Sequence, residues 1–82
     1  MTLSELPRNT PAVVVGVQDV SAGDPIAVRL RELGFVAGEP VRVTAHGPAG
    51  REPLLVQIGY TRFALRRAEA ARVSVKLAEA RA

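Results

Sequence analysis

The sequence predicts a mainly β fold, a small barrel or curled sheet of about five short strands with one short α-helical insertion between the first two. Two observations lead there. Short apolar-rich runs at 12–20, 39–45, 54–58, 62–65 and 73–77 place successive side chains on alternate faces, as strands do. Between the first two of these, Ile26, Leu30 and Leu33 recur with the spacing of one helix face. Strands this rich in valine invite edge-to-edge pairing, and closing the sheet removes that hazard.

Each element has a local reason. Thr2–Leu6 reads as a single capped turn, with Thr2 as cap and Glu5 three residues on. Pro7 and Pro11 flank a loop. In the first strand Val13, Val15 and Val17 share one face, while Val14, Gly16 and Gln18 share the other. Ser21–Gly23 turns the chain into a helix over Asp24–Leu33, capped by Asp24 and opened by Pro25, whose missing N–H costs nothing at the first position. Gly34 is expected to stop it with positive φ. After the second strand, residues 46–53 (HGPAGREP) read as a loop. Gly59-Tyr60 is a turn between the third and fourth strands, 66–71 a single helical turn, and 73–77 the last strand. A single domain over 1–77 is expected, with a frayed tail at 78–82.

Size and composition narrow the function. A chain of 82 residues has a small core, and without cysteine neither a disulfide nor a thiolate metal site can reinforce it. No apolar run approaches the roughly 20 residues of a membrane helix, and a cytoplasmic, soluble protein is expected. The net charge is +3 and the pI near 10.6, from ten arginines and a single lysine. These charges are interspersed with glutamates, so they read as solvated surface rather than a nucleic-acid footprint.

Enzymatic constellations are missing. His46 is the sole histidine, the serines lack a second one to share, and no phosphate-cradling glycine pattern is present. No catalytic residue and no cofactor are therefore predicted. His46 with Glu52 is a weak, adventitious metal site at best, because one imidazole and scattered carboxylates do not close a coordination sphere. Three aromatic residues and no tryptophan are too few for a polyproline groove or a base-stacking platform, and Phe35 and Phe63 are assigned to the core. One residue stands apart. Val28 falls opposite the Ile26/Leu30/Leu33 stripe, beside Arg31 and Glu32, which gives an apolar centre with a charged rim. With Val36 in the following turn, these four residues form the candidate partner-binding surface.

The order Leu30-x-x-Leu33-Gly34-Phe35-Val36-x-Gly38-x-x-Val41, followed by Leu65-Arg66-Arg67-x-Glu69-Ala70-x-x-Val73-x-Val75, resembles the ferrous-iron transport A (FeoA) family over nearly the whole chain. Two departures stand out. Ala27 occupies a position often basic in the family, and Gly50-Arg51-Glu52-Pro53 replaces a shorter Gly-Asp-Pro loop. The resemblance implies a Src-homology-3-like (SH3-like) barrel with a helical insertion. It also implies a cytoplasmic accessory protein that docks on the cytosolic region of FeoB, a membrane ferrous-iron permease with a GTPase domain. The same barrel occurs as the C-terminal domain of iron-dependent repressors, and the start methionine and self-contained length favour a free-standing protein. A nucleic-acid-binding barrel using its arginines is the rival reading.

Overall fold

Alternating valines pair into one antiparallel sheet. The computed structural model describes residues 1–50 and 52–78. Within them lie β1 (Ala12–Val17), β2 (Pro40–Ala49), β3 (Glu52–Ile58), β4 (Thr61–Leu65) and β5 (Val73–Leu77). Helix α1 (Pro25–Glu32) is the insertion between β1 and β2, and α2 (Arg67–Ala70) joins β4 to β5. The spatial order is β4-β3-β2-β1-β5, so β4 and β5 are the two edges. The sheet curls around its core, and no ladder joins β4 to β5 among the described residues.

The N-terminus supports one edge. Leu3–Glu5 forms a 3₁₀ turn in which Glu5 Oε1 accepts the Thr2 N–H at 2.8 Å. Leu3 within it and Leu6 just after it are buried in the core. Thr2 also bridges Ser74, and the Val75 N–H donates to the Met1 carbonyl, so the chain start covers the outer edge of β5.

The first strand stops earlier than its pattern suggests. It ends at Val17, not Val20, and its pairing with β5 shifts between Val14 and Gly16. That bulge leaves Val15 exposed, while Ala12 and Val14 face the core. The 46–53 segment departs from expectation in the other direction. β2 runs on to Ala49 and β3 begins at Glu52, with His46 opposite Leu54, so the expected loop is a hairpin. Glycine signals a loop locally, but at Gly47 it serves close strand approach, since a Cβ there would overlap the Glu52 carbonyl.

Helix α1 has the expected ends. Asp24 Oδ1 accepts the Ile26 N–H at 3.1 Å, Pro25 occupies the first turn, and Gly34 follows the Leu33 cap at φ 112°. Its inner face differs from the expected stripe. Ala27 and Leu30 are buried, whereas Ile26 and Leu33 are half-buried and flank them. Beyond the helix Phe35 is buried, but Phe63 is only partly covered, with ring centroids 6.1 Å apart at a 49° tilt. Ala78 donates its N–H to the Pro11 carbonyl, and the rest of the expected tail, 79–82, lies outside the described residues.

Leu30→Ala should destabilise the fold by about 2–5 kcal/mol, the usual range for deleting a buried leucine side chain. Equilibrium urea denaturation measures this. A loss within about 0.5 kcal/mol, as at an exposed site, would contradict the docking of α1.

Candidate functional site

A short helix presents a fixed surface only if something holds it. Here the brace is Asp24, a buried carboxylate 2% exposed. Its Oδ1 caps α1 through Ile26, and its Oδ2 accepts the Val20 N–H at 3.1 Å, closing the β1–α1 turn. The same Oδ2 accepts from Arg72 Nε at 2.7 Å, across 48 residues of sequence. Arg72 in turn donates to the Ala68 carbonyl, and its own carbonyl accepts the Gln18 N–H. The Arg72 guanidinium, with the Val20 N–H, holds the Asp24 carboxyl at about 2, below the ordinary value of 3.8. Arg72 falls at an unspecified position of the sequence motif, and only the fold reveals its partner.

The four predicted surface residues divide. Val28, Arg31 and Glu32 lie at i, i+3 and i+4 on the outer face of α1, and Val28 is 44% exposed. Val36 is also exposed, on the turn after the helix, beyond buried Phe35. Arg31 is already engaged. Its Nη2 donates to the Val17 carbonyl at 2.8 Å and pairs with Asp19 at 3.0 Å, tying the last turn of α1 to the end of β1. That pair is solvent-exposed, so it orients the side chain more than it stabilises the fold.

The predicted histidine site has a different setting. His46 sits within β2 and is half-buried, not on a loop. Glu52 Oε2 accepts the Arg67 N–H at 2.6 Å, fixing the start of α2. Among the described residues no group of three or more His, Cys, Asp and Glu converges to hold a metal. No helix among them is long and apolar enough to cross a membrane.

A second surface was not anticipated. Between α1 and β4 runs a groove of about 360 Å³, lined by Ile26, Arg29, Leu33, Pro53, Phe63 and Arg66 among others. No sequence signal marks it: an aromatic ring at core spacing reads as core, and only the structure leaves Phe63 half-buried.

A curled five-stranded sheet carrying one braced helix is a small SH3-like domain. The chain belongs to the FeoA domain family, whose model matches residues 1–77. It is 68% identical to Stenotrophomonas maltophilia FeoA, an SH3-domain protein solved with zinc and described as a candidate activating factor for bacterial ferrous-iron transport. That match covers 93% of this chain and 89% of the other, with a TM-score of 0.86. Chlorobium tepidum FeoA is 31% identical over 94% of this chain and 70% of its own, with a TM-score of 0.79. The manganese regulator SloR, 10% identical with a TM-score of 0.73, shares the fold alone, and this chain spans 34% of it. No curated protein matches. The FeoA family is one of small SH3-like modules and not a known family of enzymes.

The depressed Asp24 carboxyl predicts how stability depends on pH. Because its folded value of about 2 lies below the ordinary 3.8, its contribution is full above the unfolded value and fades as pH falls toward the folded one. Wild type should therefore lose thermal stability between about pH 4 and pH 2 more steeply than Asp24→Asn, measured as Tm against pH. Parallel curves would show that Asp24 is not held ionised by the fold.

Proposed function

We propose that the protein is a non-enzymatic cytoplasmic accessory module that supports ferrous-iron uptake by docking on the cytosolic region of an FeoB-type permease. The family match over residues 1–77 carries this reading, with the activating role described for the 68%-identical relative in support. The docking surface in this reading is the outer face of α1 and the adjoining turn. Val28 supplies the apolar centre, Glu32 and the Arg31–Asp19 pair the charged rim, and Val36 an apolar contact beyond the helix. Rim charges of this kind steer and orient a partner more than they add affinity. An SH3-like sheet that binds nucleic acid gains no support from SloR, whose likeness is one of fold.

His46 is in this reading a weak and adventitious ligand, and the monomer has no high-affinity iron site. The strand setting of His46 and the bond from the Arg67 N–H to Glu52 support that view. Iron is the cargo of the permease and not a resident of this module.

Substitution of Val28 alone tests the surface cleanly. Arg31→Glu would face Asp19 and disturb the end of β1, so it would confound folding with docking. Val28→Asp should melt within a few degrees of wild type and fail to restore ferrous-iron uptake to cells lacking the wild-type protein. Normal uptake by the folded variant would remove Val28 from the docking surface.

A further inference from the structure

The two sheet edges are treated differently. β5 is covered by the Thr2–Ser74 bridge and the Val75–Met1 hydrogen bond, whereas β4 has a strand neighbour on one side only. The two-residue turn Gly59-Tyr60 fixes which groups β4 leaves open. Ile58 pairs with Thr61, Val56 with Phe63 and Leu54 with Leu65, so these residues of β4 direct their N–H and C=O groups to β3. Arg62 and Ala64 therefore turn theirs outward, and neither makes a backbone hydrogen bond beyond the sheet among the described residues.

That open edge borders the groove. β4 contributes Phe63, Ala64 and Leu65 to one wall, and α1 contributes Ile26, Arg29 and Leu33 to the other. Its lining mixes the apolar side chains of Ile26, Leu33, Phe63 and Leu65 with the charged Arg29 and Arg66. Neither guanidinium has an ion pair among the described residues. The one carboxylate lining the groove among the described residues, Glu69, accepts the Arg66 N–H at 2.8 Å.

We propose that this groove binds an extended acidic segment of a partner protein, which adds to β4 as a further strand. Its backbone would meet the outward groups of Arg62 and Ala64, an apolar side chain would seat between Phe63 and Leu33, and its carboxylates would lie on Arg29 and Arg66. Cations without ion pairs set among apolar side chains select acidic-apolar alternation, and the open ladder selects an extended backbone. The inference goes beyond the outer-face reading. It concerns the opposite flank of α1 and stands whether or not Val28 meets the permease.

The probe is a synthetic octapeptide alternating aspartate and valine, with a lysine–valine counterpart, titrated into the isotopically labelled full chain and followed by amide NMR shifts. The aspartate peptide should shift residues of β4 and the groove side of α1, and the lysine peptide should bind roughly tenfold more weakly or not at all. Ala64→Pro removes an outward N–H and leaves the β3 ladder intact, so it should keep a dispersed spectrum and lose binding. Should that variant not fold, Arg29→Glu/Arg66→Glu decides, because it should reverse the preference toward the lysine peptide. Equal binding of both peptides, shifts centred away from β4, or no binding would each overturn the proposal. So would concentration-dependent dimerisation through β4 in the absence of peptide, which would give the edge to a second copy of the chain.

Discussion

The carboxylate of Asp24 lies buried between the β1–α1 turn, the first turn of α1 and Arg72, and each of its bonds fixes a different part of the chain. A helix of eight residues gains too little from its own hydrogen bonds to persist alone. Its position must come from tertiary contacts. Leu30 and Ala27 supply the apolar part, but apolar contact is non-directional and does not fix how the helix is rotated or where it begins. The bond to Arg72 does, because it joins the helix start to the junction of α2 and β5. Burial raises the penalty for any misplacement, since an unpaired carboxylate inside the fold would lose both water and its partner.

From that fixed helix two surfaces follow. Its outer face carries Val28 in solvent, beside an Arg31 already tied to Asp19. Its inner flank stands off from β4, and the gap between them is the groove lined in part by Arg29 and Arg66. Both depend on the same placement. A helix rotated by one residue, about 100°, would bury Val28 or expose Leu30. The glutamates near the groove serve structure: Glu52 and Glu69 accept the N–H groups of Arg67 and Arg66 and so start α2. The side chains of Arg29 and Arg66, both lining the groove, form no ion pair among the described residues.

Local chemistry was legible in the sequence, and long-range pairing was not. Asp24, Pro25 and Gly34 mark the helix ends because capping acts over a few neighbouring residues. The resemblance to FeoA, carried by the two motifs around Gly34 and Glu69, gave the SH3-like architecture and matches the family found over residues 1–77. The errors share one cause. Gly47 and Pro48 mark a loop by composition, yet strand approach set the hairpin. Phe63 has core spacing, yet the gap beside α1 leaves it half-covered. Arg72 looks like any surface arginine until the fold brings it to a carboxylate 48 residues away. β1 ends at Val17 because Val73, its partner there, is the first residue of β5, and the bulge at Val15 is likewise set by that pairing.

The claim that Asp24 and Arg72 jointly hold the insertion is tested most directly by a double-mutant cycle on folding stability with Asp24→Asn and Arg72→Met. A pair that acts as one unit gives strongly non-additive losses, because removing Arg72 alone leaves a buried charge without its partner. The Asp24→Asn/Arg72→Met double variant should then be at least as stable as Arg72→Met alone. Losses that simply add would contradict it, and α1 would be held by apolar packing only.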